Sequence, residues 1–104
     1  MIQTSQSALS LLQQQSEKPI LAKFVAPHCG GCNTLKPVLE QLARTHAEQL
    51  HLIEIDITEE PELAIELDVR SVPTVVLFQQ EQEIGRLVGL QPKQHYTNLV
   101  QQVV

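Results

Sequence analysis

The only cysteines of this 104-residue chain, Cys29 and Cys32, are separated by two glycines, Gly30 and Gly31. Two thiols at this spacing can close into a disulfide, or supply half of a tetrahedral metal site. The thiolate is the reactive form in both cases, so the surroundings decide which chemistry is open to it. An apolar run, Ile20 to Val25, leads into the pair and reads as a strand. Leu35, Val38, Leu39, Leu42 and Ala43 lead out of it at spacings of three and four, which predicts a helix from about Gly30 to Ala47. The dithiol therefore stands where a strand ends and a helix begins. Unpaired helix N–H groups and the positive end of the dipole favour a thiolate there. A structural zinc wants four ligands, and His28, His46 and His51 do not form a second pair at suitable spacing. The pattern points to redox chemistry, for which the dithiol is itself the redox group and no bound cofactor is needed.

Composition narrows the class. The length suits one domain over residues 1–104, with a single core. Aromatic residues are scarce and Trp is absent, so that core must be aliphatic. A net charge of −5 argues against non-specific binding to nucleic acid or to an anionic membrane. No window approaches the roughly 18 apolar residues of a membrane span. The N-terminal Met-Ile-Gln-Thr-Ser-Gln lacks a basic region followed by an apolar one, so no signal peptide is expected. One Cys-x-x-Cys in such a chain is no disulfide framework and suits the cytoplasm.

The elements that must position the dithiol follow in order. Residues 1–16 are rich in Gln and Ser, with Ala8, Leu9 and Leu12 giving a short helix one apolar edge, and Ile2 to Thr4 reading as a stub of edge strand. Ile20 to Val25 is apolar except for Lys23, as in a central strand covered on both faces. Pro37 falls inside the second helix and should kink it. His51 to Ile57 is the next strand, with Ile53, Ile55 and Ile57 on one face and Leu52, Glu54 and Asp56 on the other. Strand, helix, strand over this length implies a parallel pair with a right-handed crossover. Thr58-Glu-Glu-Pro61 signals a short helix: a capping hydroxyl, early acids and a first-turn proline. That helix covers Leu63, Ala64 and Leu67, with Glu59 to Glu66 supplying a solvated acidic face. Thr74 to Gln79 and Glu83 to Val88 read as an antiparallel pair joined by a turn at Gln80 to Gln82. Gln91-Pro92 breaks the chain. A last helix runs to the C-terminus with Tyr96, Leu99, Val100 and Val103 on one face.

These residues resemble the thioredoxin family along nearly the whole chain. The resemblance is carried by Ala26-Pro27-His28-Cys29-Gly30-Gly31-Cys32, by Pro37, by Asp56-Ile-Thr-Glu-Glu-Pro61, by Val69-Arg70-Ser71-Val72-Pro73-Thr74 and by Val88-Gly89. It implies an α/β fold with a central mixed sheet of four to five strands flanked by helices. It also implies a cis Pro73 facing the dithiol. Departures from the family pattern cluster at the site. The usual Trp before the first cysteine is His28, and the usual Pro between the cysteines is Gly31. The Lys that often follows the second cysteine is Asn33. The buried Asp is Lys23, and the position of its Lys partner is Glu54.

The implied roles are specific. Cys29 is the nucleophile and Cys32 the resolving thiol. Val72, Pro73 and Gly89 form the surface that meets a substrate segment, with the Val72 backbone open to strand addition. His28 either favours the Cys29 thiolate as a cation or is only a solvated histidine. Lys23 and Glu54 are expected to form an ion pair near Cys32. It either satisfies buried charge or assists the proton that Cys32 must shed, with Glu54 the better base and Lys23 favouring the thiolate. His46, His51 and His95 read as structural or surface residues. The activity implied is that of a monomeric protein-disulfide oxidoreductase and electron carrier. Its partners would be disulfide-containing proteins and a thioredoxin-reductase-type donor. The other reading is an interaction module of the same fold, or an excised reductase domain, serving one dedicated partner. Substitution around the site makes it credible.

Overall fold

Alternation along the first strand assigns the two faces of the sheet. In the computed structural model, which describes residues 8–104, that strand is β1 (Ile20–Val25), and it lies between β2 (His51–Asp56) and β3 (Thr74–Gln79). Its even residues Ile20, Ala22 and Phe24 pack into one core, with Ile55, Val76 and Phe78. Its odd residue Leu21 packs into the other, with Leu35, Leu39, Val75 and Leu77. Period-two geometry therefore directs Lys23 to the same side as Leu21. Both faces of the sheet are covered, which is why β1 and β3 are almost wholly apolar.

The order of the four strands described is β2-β1-β3-β4, with β4 at Gln82–Val88. β1 runs parallel to β2, pairing Lys23 with Glu54, and antiparallel to β3, pairing Lys23 with Val75. β3 and β4 form a hairpin whose turn is Gln80-Glu81, one residue shorter than the sequence suggested. Gln80 there adopts a φ of 55°. The register slips at Leu77/Phe78. That bulge lets Ile84 and Leu87 pack against one core, although strict alternation would part them.

Four helices of the described residues close the two layers: α1 (Ala8–Gln15), α2 (Gly30–Thr45), α3 (Pro61–Glu66) and α4 (Lys93–Val100). Leu9 anchors α1, and Ala64 anchors α3, on the Phe24 side; α2 and α4 cover the Leu21 side. The expected strand stub at Ile2 to Thr4 lies outside the described residues. Most boundaries match the periodicity, with local corrections. α2 ends at Thr45, and β2 at Asp56. α4 stops at Val100 in a run of turns rather than continuing to the C-terminus, while Val103 still packs on the core. Pro37 stands inside a continuous α2. Thr58 does not cap α3. Its backbone N–H and hydroxyl both donate to the Asp56 carboxylate, at 2.8 and 2.6 Å, so Glu60 becomes the cap residue, with no side-chain bond. The Thr58 N–H closing onto the Asp56 side chain two residues back makes an Asx turn ahead of the helix. Those bonds hold the Asp56 carboxyl below its usual range.

Candidate active site

Helix α2 starts on the dithiol itself. Cys29 is its cap residue in an extended conformation, and its sulfur accepts from the Cys32 N–H at 3.1 Å. Cys29 and Cys32 are joined as a disulfide with their Cα atoms 5.2 Å apart. Cys29 is half-buried, whereas Cys32, one turn inside, is only 4% exposed. An N–H of the helix start is thus aimed at the first sulfur, as thiolate stabilisation requires. His28 reaches this corner with a φ of 62°, a left-handed conformation in which His is enriched, and its side chain is exposed. Gly30 lies in the first turn with open space beside it.

Gly31 is where the second wall meets the dithiol. A Cβ there would stand 3.2 Å from Cδ of Pro73 and 3.7 Å from Cβ of Leu90, so the bare backbone permits the close approach. The Val72–Pro73 bond is cis. The Pro73 carbonyl accepts from the Gly89 N–H at 2.8 Å, and the Thr74 hydroxyl donates to the Ser71 carbonyl at 2.8 Å. Gly89 has a φ of 76°, which suits glycine and lets the chain turn out of β4 beside Pro73. The structure thus brings Cys29, Cys32, Gly31, Pro73 and Gly89 to one corner, with Val72 half-buried beside them.

Beneath the corner, Lys23 is buried. Its ammonium donates to the carbonyl oxygen of Cys32 at 2.9 Å. The expected pair with Glu54 is present at 3.7 Å but lopsided: the Lys23 side chain is 5% exposed and that of Glu54 59%. A cleft of about 160 Å³ lined by Lys23, Lys36, Leu39, Glu40, Leu52, Ile53 and Glu54 opens here. Of the other histidines, His46 caps the end of α2, His51 meets Ser16, and His95 meets Gln91. Among the described residues, no three His, Cys, Asp or Glu side chains are grouped as a metal site needs.

Two residues that periodicity treated as ordinary belong to this corner. Leu90 is half exposed and borders Gly31. Tyr96, fully buried on α4, directs its hydroxyl at the loop that carries Leu90. It accepts from the Gln91 N–H at 3.1 Å and donates to the Gly89 carbonyl at 3.3 Å. Burial pushes the Tyr96 phenol up, against the Gln91 bond. A buried tyrosine needs a partner for its polar tip, which was the one available signal in the sequence.

A dithiol at a helix start, against a cis proline and on this strand order, can be compared with known proteins. A family profile described as thioredoxin matches residues 2–102. The chain belongs to the thioredoxin family. It is 36% identical over 80 residues to the thioredoxin of Alicyclobacillus acidocaldarius, covering 77% of this chain and 76% of that protein. It is 42% identical over 78 residues to the bifunctional thioredoxin reductase/thioredoxin of Mycobacterium leprae, covering 75% of this chain and 17% of that one. Among solved structures, a mutant thioredoxin from Halobacterium salinarum superposes with a TM-score of 0.82 at 34% identity, covering 94% of this chain and 86% of the other. As a thioredoxin-family protein with the Cys29/Cys32 dithiol at the helix start, it is a thiol–disulfide oxidoreductase. No helix of the described residues is long and apolar enough to cross a membrane.

Proposed function

We propose that the chain is a single-domain, monomeric electron carrier that reduces disulfides in cytoplasmic proteins. The observation that carries the assignment of roles is the unequal burial of the two sulfur-bearing residues, Cys29 half-buried and Cys32 buried behind it. The Cys29 thiolate attacks one sulfur of a substrate disulfide, and the first substrate thiolate leaves and takes a proton. Cys32 loses its proton, attacks the Cys29 sulfur and expels the second substrate thiolate, which is protonated in turn. The protein ends as the Cys29–Cys32 disulfide and the substrate as two thiols. A dithiol donor of the thioredoxin-reductase type reverses the change. That the relatives include a protein described as a bifunctional thioredoxin reductase/thioredoxin supports such a donor.

The corner formed by Val72, Pro73 and Gly89 is the proposed ledge for an extended substrate segment. Pro73 borders Gly31, between the two cysteines, and the proline offers no N–H to compete with the segment's own pairing. His28, exposed next to Cys29, is placed to add positive charge there when protonated. A single reactive dithiol without other cysteines fits a reducing compartment. Similarity to several proteins described simply as thioredoxin favours a general carrier over a module dedicated to one partner.

The test is trapping. Cys32→Ser should accumulate mixed disulfides with protein substrates through Cys29, because the resolving attack is gone, and Cys29→Ser should trap little. Wild type should reduce insulin with dithiothreitol and with generic thioredoxin reductases. The reverse trapping pattern overturns the roles, and a cycling dithiol that no generic reductase recharges overturns the general carrier.

A further inference from the structure

A buried ammonium is expensive unless something holds it in place, since charge is stable in water and poorly stable in a core. Among the described residues the buried cation is Lys23, and its direct hydrogen bond runs to the carbonyl of Cys32, the residue whose thiol must ionise. Period two along β1 directs Lys23 to the face that α2 covers, and neighbouring Leu21 and Val75 are wholly buried there. Its nominal counter-charge is mostly in solvent, and at 3.7 Å the Glu54 carboxylate lies beyond hydrogen-bond reach. A pair of that kind is screened on the Glu54 side and neutralises little. The other charges about the cleft are Lys36 and Glu40 on α2, both exposed, while β3 contributes apolar Val75. Asp56, further along β2, is occupied by Thr58. Among the described residues, Lys23 is thus the one buried charge, it is positive, and it is anchored on Cys32.

We infer that Lys23 is a positioning residue that sets the redox poise of the dithiol, its ammonium holding the Cys32 thiolate formed when the disulfide is reduced. The inference deepens the oxidoreductase reading and rests on it. Reduction breaks the Cys29–Cys32 bond, takes two electrons from a dithiol donor and leaves two sulfurs to be protonated. An ammonium anchored on Cys32 favours the thiolate at that sulfur, so the half-reaction takes up one proton fewer over a wider pH range. The reduced form is favoured and the disulfide becomes the stronger oxidant. Glu54 then trims the field of that ammonium.

The experiment is a site-resolved titration of both thiols by Cβ chemical shift in the reduced protein, together with the redox potential against glutathione across pH. A nearby opposite charge typically shifts a titration by about one pH unit or more. Lys23→Met should raise the Cys32 titration by that amount and leave that of Cys29 less changed. Its disulfide should be about tenfold harder to reduce where the thiolate counts, equal to about 30 mV for a two-electron couple. The pH at which the slope of potential against pH flattens should rise with the thiol. Glu54→Gln, at an exposed position that tolerates change, should move the Cys32 titration the other way by a smaller amount. A merely structural Lys23 would move stability in both redox states and none of these readouts. A folded Lys23→Met with wild-type Cys32 titration and potential overturns the inference. If Lys23→Met does not fold, an upward or absent shift in Glu54→Gln overturns it. The titrations need no substrate, so an inert wild type would sink the oxidoreductase reading separately.

Discussion

Replacing Gly31 by proline tests how the loop between the cysteines sets the potential. Gly31 lies in the first turn of α2, where a proline has a compatible φ and removes an N–H the helix does not bond. The reduced loop, once stiffened, has fewer conformations to lose on ring closure, and restrictions of this kind are worth about 0.4–1 kcal/mol. Since 30 mV corresponds to about 1.4 kcal/mol for two electrons, the potential should fall by about 10–20 mV. Crowding opposes the change: the new Cβ would stand 3.2 Å from Cδ of Pro73, so that ring must give by a few tenths of an ångström. Pro73 is held by its carbonyl bond to Gly89 and by its place directly before β3, outside the ring that the disulfide closes. The crowding should therefore lower stability in both states and nearly cancel in the potential. Gly31→Ala brings the same Cβ without the ring and should give a smaller fall. Equilibration with glutathione at known ratios gives the potential, and urea unfolding of both redox states gives the crowding cost. Wild type should titrate above the about −270 mV of thioredoxin, toward the about −180 mV of protein disulfide isomerase. A Gly31→Pro protein that titrates at the wild-type potential or above it refutes the loop reasoning.

Two further predictions concern the supports of the site. Tyr96→Phe leaves the Gln91 N–H and the Gly89 carbonyl without their shared hydroxyl, and should cost about 1 kcal/mol in urea unfolding. It should also raise the KM for a protein disulfide more than it lowers kcat, by loosening Leu90 and Gly89; an unchanged KM would show that the hydroxyl serves stability alone. Arg86 grips both oxygens of Glu83, at 2.7 and 2.8 Å, and that grip holds the Glu83 carboxyl below its usual range. A lowered folded value adds stability that is present above the ordinary carboxylate pKa of about 4.3 and lost as the pH falls through the folded value. Glu83→Gln should therefore cost at most about 1 kcal/mol at neutral pH, discounted for the exposure of the pair, with the gap closing toward pH 3. Chemical unfolding at both pH values checks it, and a gap that stays constant refutes it.

What the sequence by itself determined is what short-range periodicity and spacing encode. Apolar runs marked Ile20–Val25 and Thr74–Gln79 as strands, and alternation in His51 to Ile57 marked the next strand and its two faces, because successive side chains alternate whatever the strand packs against. Spacings of three and four marked α2, and Cys29 at its edge placed the dithiol on a helix start. The family pattern around Val72-Pro73 supplied the cis proline. Tertiary structure decided the rest, because those features depend on atoms distant in the chain. Thr58 reads as a cap until its hydroxyl is found donating to the Asp56 carboxylate, with Glu60 at the cap position. Tyr96 reads as one more apolar-face residue until its hydroxyl meets the Gly89–Gln91 loop. Gly31 reads only as a missing proline until Pro73 is found 3.2 Å from where its Cβ would be. Lys23 and Glu54 read as a balanced pair of charges. Only the fold buries one and leaves the other mostly in water, because Lys23 lies in the middle of β1, between β2 and β3 on the face that α2 covers, while the Glu54 side chain on β2 is 59% exposed.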